Sequence, residues 1–227
     1  EYLQEIKSPI FYAVQKNINI QTGQPTILDF DMQRISQRIN IVFNIRTEGN
    51  IKREDLAAPI IELSGACGRF NIADACLYRM AHQVQPDEFT QTGEGTYRCV
   101  VHFHTLGVIP SAAKGHLNGP GILQVALQVS TPQLDSSGAP VVDEEGNPVK
   151  NSRYIYGAIN PYDELTAAQL IEVRDGKIYL RYSKEDVNIE ITTPLVIKAD
   201  QIVPNDTGMG WQPHDPTNPD DDIIIEI

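Results

Sequence analysis

The sequence predicts an all-β protein: an antiparallel Greek-key β-sandwich with one or two short helices. Three observations carry that expectation. Apolar residues alternate with polar ones over residues 97–106 and again over residues 38–47, the period of a strand with one buried face. About ten short extended runs are separated by sequences rich in Gly, Pro, Asn and Asp, the spacing of a sandwich. Only two stretches fit a helix, and nothing repeats at a fixed interval.

Taken in order, Ser8-Pro9 opens a first strand over residues 10–20, with Ile10, Tyr12, Val14, Ile18 and Ile20 on one face. Thr22-Gly23-Gln24-Pro25 is a turn, and extended structure resumes over residues 27–32. In residues 38–47, Ile39, Ile41, Phe43 and Ile45 point one way and Asn40, Asn44 and Arg46 the other. Residues 50–58 suit a short helix capped by Asn50, with Glu54 and Asp55 early in it and Pro59 as its stop. Residues 60–63 form a short strand running into Ser64-Gly65-Ala66-Cys67-Gly68. Residues 75–80 fit a strand or a helical turn, and the strand is preferred. Residues 85–95 are polar and loop-like.

The central strand, residues 97–106, alternates Tyr97, Cys99, Val101 and Phe103 with Arg98, His102 and His104. Its expected antiparallel partner is residues 123–129, beyond a Gly- and Pro-containing loop longer than a hairpin needs. Residues 131–151, with Asp135-Ser136-Ser137-Gly138 and Asp143-Glu144-Glu145-Gly146-Asn147-Pro148 around Val141-Val142, read as a protruding polar hairpin or a mobile loop. A Tyr-rich strand follows over 153–159. A helix is expected over 165–173, where Leu165, Ala168 and either Leu170 or Ile171 fall in phase. Residues 177–182 and 187–191 look like a hairpin, and residues 194–199 are extended. From Pro204 to Asp222 the composition is that of a linker, ahead of a terminal apolar strand, Ile223-Ile224-Ile225-Glu226-Ile227. The expected division is a sandwich domain over 1–205 and a linker with C-terminal strand over 206–227.

Composition narrows function. The 227 residues carry a formal net charge of −12, with a pI of about 4.8 and a mean hydropathy of −0.26. Nucleic-acid binding needs clustered Lys and Arg against phosphate, so this balance opposes it and suits a self-repelling soluble surface. No apolar run approaches the ~20 residues of a membrane helix. Glu1-Tyr2-Leu3-Gln4-Glu5 is polar and unlike a signal peptide, which is uninformative about export because a mature or truncated product also begins this way. Three cysteines, Cys67, Cys76 and Cys99, allow at most one internal disulfide. Their spacing matches no zinc pattern, and small buried apolar residues are the favoured reading.

Candidate chemistry is sparse. His102 and His104 project from the same strand face, with His82 or His116 as a conceivable third metal ligand; a polar sheet face under a loop is the preferred alternative. Asp143-Glu144-Glu145 and Asp220-Asp221-Asp222 lack calcium-loop spacing. There is no G-x-S-x-G and no phosphate-binding glycine loop. The reading is therefore a protein that is not an enzyme, with no catalytic, cofactor or metal residues. Trp211 either docks on its own domain, which is favoured, or stacks on a sugar together with Tyr154, Tyr156, Tyr179 and Tyr182. The candidate partner-binding residues are Ile223, Ile224, Ile225 and Ile227. An apolar strand after a flexible linker either folds back on its own sheet or adds to another subunit.

One resemblance bears on this. Ser8-Pro9-Ile10-Phe11-Tyr12-Ala13, Asn17-Ile18-Asn19-Ile20, Arg38-Ile39-Asn40-Ile41-Val42-Phe43, Ile61-Glu62-Leu63-Ser64-Gly65-Ala66 and His102-Phe103-His104-Thr105-Leu106-Gly107 follow one another in that order. A tail rich in Gly, Trp and Asp follows. The progression, over roughly residues 8–130 and the tail, resembles the fimbrillin-like surface proteins of Bacteroides-type bacteria, the type V pilus anchor and minor-subunit branch. The resemblance implies an exported, non-enzymatic adhesion or pilus-assembly subunit at the cell surface or outer membrane. It implies other pilus subunits or surface proteins as partners, no cofactor, and a lipid anchor on an upstream segment. Residues 141–191 match the pattern poorly. A surface glycan- or ligand-binding module is the alternative.

Overall fold

Two five-stranded sheets face each other across a single apolar core. The computed structural model describes residues 6–49, 51–71, 76–110, 117, 120–175, 177–183, 185–198, 201–207 and 209–214. In chain order the strands are β1 (Phe11–Tyr12), β2 (Gln33–Arg34), β3 (Gln37–Glu48), β4 (Ile60–Asn71), β5 (Cys76–Val84), β6 (Glu88–Gly93), β7 (Thr96–Thr105), β8 (Leu123–Pro132), β9 (Lys150–Ile159), β10 (Ile171–Arg174), β11 (Lys177–Leu180), β12 (Val187–Lys198), β13 (Gln201–Ile202) and β14 (Gln212–Pro213). One short helix, α1 (Tyr162–Ala167), follows β9. The first sheet runs β13-β12-β3-β7-β6 and the second β14-β9-β8-β4-β5. The all-β sandwich expected from the sequence is what forms.

The period-two pattern decides which faces meet. Ile39, Ile41, Phe43 and Ile45 of β3 and Tyr97, Cys99, Val101 and Phe103 of β7 are buried. They face Leu123, Val125, Leu127 and Val129 of β8 across the core. Each such aliphatic or aromatic side chain removed from water stabilises the fold by roughly 1.5–3 kcal/mol.

Several expectations are corrected. β7 and residues 123–129 are not paired: β7 lies between β3 and β6, and β8 between β4 and β9. Alternation specifies which face a strand buries, and both strands bury theirs, but it carries no information about the neighbour along the hydrogen-bonding direction. Nor is the sandwich wholly antiparallel. β12 runs parallel to β3 from Val187↔Ile39 to Lys198↔Glu48, with an irregularity between Ile191 and Leu195. A parallel pair needs a long crossover, and here the chain between the two strands builds β4 to β11 and α1.

Residues 177–182 and 187–191 do not form a hairpin. β11 pairs instead with β10, Ile171↔Leu180 through Arg174↔Lys177, because the expected helix over 165–173 ends at Ala167. Gln169 takes φ +57, which breaks the helical path, and the β-branched Ile171 is buried in a strand. The short helix expected over 50–58 is reduced to a 3-10 turn at Arg53–Asp55; its proposed cap, Asn50, lies outside the described residues. There the Lys52 amide donates to Asp55 Oδ2 at 3.1 Å, and Asp55 is buried.

The first strand is the largest departure. Of residues 10–20 only Phe11–Tyr12 is strand, paired with β2. Phe11, Val14, Ile18 and Ile20 are exposed, as are Ile27, Phe30 and Met32. The alternation is present, but no sheet edge of the sandwich takes it up.

The expected linker is also shorter. β14 pairs with β9, and Trp211 is 1% exposed. Its indole packs 5.2 Å from the Phe43 ring centroid and its Nε1 donates to the Thr193 carbonyl at 3.0 Å. Residues up to 214 therefore belong to the sandwich, and Trp211 docks on its own domain as favoured above.

Two features position the surfaces discussed next. Residues 131–151 do form a protruding hairpin, closed by bridges Leu134↔Pro140 and Val142↔Pro148. Asp135 Oδ1 accepts from the amides of Ser137 and Ala139, and Asp143 Oδ1 from those of Glu145 and Asn147. The second is the corner in β4, where Gly65 has φ +69 and its hydrogen sits where a Cβ would lie 2.5 Å from both Gly121 N and Ile109 O. Ser64 Oγ accepts from the Ile122 amide at 3.0 Å, so the Leu-Ser-Gly sequence turns β4 from pairing with β8 toward the end of β7.

Candidate functional site

The histidines come first, since sequence reasoning placed them at the centre. His102 and His104 do share the outer face of β7, but their surroundings differ. His102 Nδ1 lies 2.6 Å from Asp87 Oδ2. His104 is buried, with Nε2 3.2 Å from Ser36 Oγ. That same hydroxyl accepts from the Ile10 amide at 2.9 Å, so the N-terminal segment is tied down over His104. Burial holds the His104 imidazole below its usual pKa, against a hydrogen bond with the Ile6 backbone that acts the other way. His82 projects from the inner face of β5, edge-on to Phe103 with ring centroids 5.4 Å apart. The thickness of a sheet separates it from His102, so these imidazoles cannot converge on one ion. His116 lies outside the described residues. Among the described residues no three His, Cys, Asp or Glu side chains group as metal ligands.

Two of the three cysteines sit in the interior, and the Cys76 side chain lies outside the described residues. Cys67 and Cys99 are buried, and burial, with Glu88 and Asp87 nearby, pushes the Cys99 thiol up to about 12. The acidic turns are occupied by their own backbone. The Ser137 hydroxyl and the Ala139 amide hold the Asp135 carboxyl below its usual range. Asp220-Asp221-Asp222 lies outside the described residues.

The aromatic candidates separate cleanly. Trp211 is in the core and cannot stack on a ligand. Tyr182 donates to the Leu106 carbonyl at 2.9 Å, and burial raises its hydroxyl pKa. The Tyr179 side chain lies outside the described residues. Tyr154 and Tyr156, two apart on β9, share its outer face, with ring planes 27° apart and centroids at 6.3 Å. Tyr154 is 49% exposed.

The sheet edges form the remaining surface. β12 has twelve residues, with β3 along one side; on the other, β13 pairs only with Ile197 and Lys198. β9 has ten residues, with β8 along one side; on the other, β14 pairs only with Gly157 and Ala158. The His214 amide adds one bond, to the Tyr156 carbonyl at 3.0 Å. The Val203 amide likewise bonds the Val196 carbonyl at 2.8 Å; among the described residues, no strand pairs with 187–195 of β12 or with 150–155 of β9 on these sides. Sequence reasoning missed both edges. A two-residue strand such as Gln201–Ile202 carries no periodicity, so nothing along the chain marks its long neighbour as half covered. The terminal residues Ile223, Ile224, Ile225 and Ile227 lie outside the described residues.

A cleft of about 660 Å³ lies at the root of the protruding hairpin, between Ile51 and Asp55 on one side and Pro132, Leu134, Pro140 and Lys150 on the other. Lys150 Nζ reaches the buried Asp55 Oδ1 at 3.2 Å across it. No helix among the described residues is long and apolar enough to cross a membrane. No protein-family model, curated protein or solved structure matches the chain.

Proposed function

We propose that this protein is a non-enzymatic cell-surface adhesion or pilus-assembly subunit that joins its neighbours by β-strand complementation. The observation that carries the reading is the half-covered edge of β12. Its backbone groups from Val187 onward are aligned by nine pairings with β3, broken between Ile191 and Leu195, while on the opposite side β13 and the Val203 amide occupy the far end. Ile189 and Ile191 are buried just inside this edge. An incoming strand gains main-chain hydrogen bonds along the edge, and alternate side chains set its register.

The donor in this reading is the terminal run Ile223, Ile224, Ile225 and Ile227. Eight residues, 215–222, separate it from His214, and a fully extended chain of that length spans at most roughly 26–29 Å. Asn188, Glu190 and Thr192 stand on the outer face of β12 and are exposed. They give the edge a polar skin that disfavours indiscriminate pairing. The order of motifs shared with fimbrillin-like surface proteins supports the same class, with export and an upstream lipid anchor as parts of the proposal.

Sedimentation velocity over a concentration series tests it, comparing the full chain with one lacking residues 220–227. The expected result is concentration-dependent association of the full chain that the deletion abolishes. Association unchanged by the deletion removes the terminal strand from the mechanism.

A further inference from the structure

We infer that the outer face of the second sheet binds a neutral oligosaccharide, with Tyr156 and Tyr154 as the stacking platform. The pairing register sets out the face in rows. Gln83, Glu62, Gln124 and Ala158 follow one another across β5, β4, β8 and β9. In the next row, Ile60 and Ala126 lead to Tyr156, and in the row beyond, Gln128 lies opposite Tyr154. These residues point away from the core, since Leu123, Val125, Leu127 and Val129 of β8 point into it.

A groove of about 150 Å³ opens beside Tyr156, lined by Glu62, Gln83, Gln124 and His214 over a floor that includes Ala126. Directly paired side chains stand about 4.5–5.5 Å apart at Cβ, so the small Ala126 opposite Tyr156 leaves the hollow. The His214 backbone is fixed there by its bond to the Tyr156 carbonyl.

The chemistry of this lining selects the ligand class. A pyranose ring presents an apolar C–H face, which packs on an aromatic ring, and a rim of hydroxyls that both donate and accept. Glutamate accepts, glutamine does both, and histidine donates from one ring nitrogen and accepts at the other. Tyrosine offers a large rigid surface at little conformational cost. A polyanion is disfavoured by Glu62 and by the net charge of −12. The polar rim does not suit a lipid chain. Two near-parallel rings 6.3 Å apart call for more than one sugar unit, hence an oligosaccharide rather than a monosaccharide. The surface is independent of strand complementation, which uses backbone edges.

Affinity electrophoresis in native gels containing soluble mixed-linkage β-glucan, starch, mannan or galactomannan tests the inference. Retardation of the full chain is expected in at least one gel. Tyr156→Ala should weaken it at least tenfold, and Tyr154→Ala should weaken it less. Tyr154→Phe should keep most of it, since the ring face remains. Circular dichroism establishes that each variant is folded; if Tyr156→Ala is not, the more exposed Tyr154→Ala decides. No retardation in any of the four gels overturns the inference, as does retardation unchanged in the tyrosine variants. Deleting residues 220–227 should leave retardation intact, so failure here is separable from failure of subunit association.

Discussion

Replacing Trp211 tests where the domain ends. The composition around it is that of a linker, yet the indole is 1% exposed, packs against Phe43 and donates to the Thr193 carbonyl in β12. Truncating a buried Phe or Trp to alanine costs about 3–5 kcal/mol, the lost transfer energy plus the cavity left behind. Domains of this kind have only about 5–15 kcal/mol in total. For chains of 150–250 residues each kcal/mol moves the melting midpoint by about 2–4 °C, so Trp211→Ala should lower it by roughly 6–20 °C. Trp211→Phe keeps an aromatic ring beside Phe43 but removes the indole N–H. It should lose mainly one hydrogen bond, ~0.5–1.5 kcal/mol, plus a smaller packing contribution. Urea titrations followed by far-ultraviolet circular dichroism read both, and do not depend on the fluorophore being removed. Because the chain has a single tryptophan, the unsubstituted protein should also show blue-shifted emission resistant to acrylamide quenching. A Trp211→Ala protein within about 1 kcal/mol of the parent, or an emission typical of exposed indole, would refute the placement of this segment in the core.

Two further outcomes rest on backbone geometry and on a buried thiol. Gly65→Ala places a Cβ 2.5 Å from two backbone atoms at φ +69, whereas Gly138→Ala, at φ +84, meets nothing within 4 Å; the second should cost about 1–2 kcal/mol from the left-handed backbone alone, and the first distinctly more, as read by thermal melts. Cys99 keeps its proton in the folded state up to about 12, while an unfolded thiol releases it near 8.5–9. Between those values the folded state holds more protons, so stability falls as pH rises; from pH 8 to 10.5 this contributes a loss of ~2 kcal/mol that should be missing in Cys99→Ala, measured as the difference in urea stability between the two pH values. Equal pH dependence in both proteins would show that the thiol is not shielded.

How much of this was legible along the chain depends on whether a feature is local. Strands with one buried face announce themselves by period, so β3, β7, β8 and β9 are visible in Ile39-Ile41-Phe43-Ile45, Tyr97-Cys99-Val101-Phe103, the alternation after Leu123, and the Tyr-rich run to Ile159. The protruding hairpin is visible because Asp135 and Asp143 each sit where an Asx turn needs them. Pairing across the sheet is not local. Nothing in residues 187–198 says that their neighbour is β3, 148–150 residues upstream, or that the pair is parallel. Residues 10–20 show the converse error: the period is there, but a strand also needs an edge to join. The docking of Trp211 is legible, since a lone large aromatic in a polar stretch is itself a signal of it, but the Pro- and Gly-rich setting hides the pairing of β14 with β9 beside it. Of the candidate site residues, the tyrosines were visible as residue types, while their sharing of a face with Glu62, Gln83 and Gln124 depends on register across four strands.

The two proposed activities would meet if the added strand joined β9 rather than β12. The outer face of β9 carries Tyr154 and Tyr156, and among the described residues no strand pairs with its residues 150–155 on the side away from β8. A strand added at that edge would place every second side chain on the outer face, next to the tyrosine platform, about 5 Å across. A strand added instead at the β12 edge lies in the opposite sheet and leaves the platform untouched. The two edges therefore differ in a measurable way. Addition at β9 couples association to sugar binding, and such coupling is reciprocal: whatever assembly does to sugar affinity, the sugar does to assembly. Addition at β12 leaves the two equilibria independent. The exposed side chains of β12, Asn188, Glu190 and Thr192, guard an edge backed by Ile189 and Ile191, whereas residues 151–154 of β9 are exposed throughout. Apolar backing beside an open edge favours β12 as the acceptor, because the added strand then buries side chains as well as pairing its backbone. Subunits that associate through β12 keep their tyrosine faces free, which is the arrangement an adhesive surface requires.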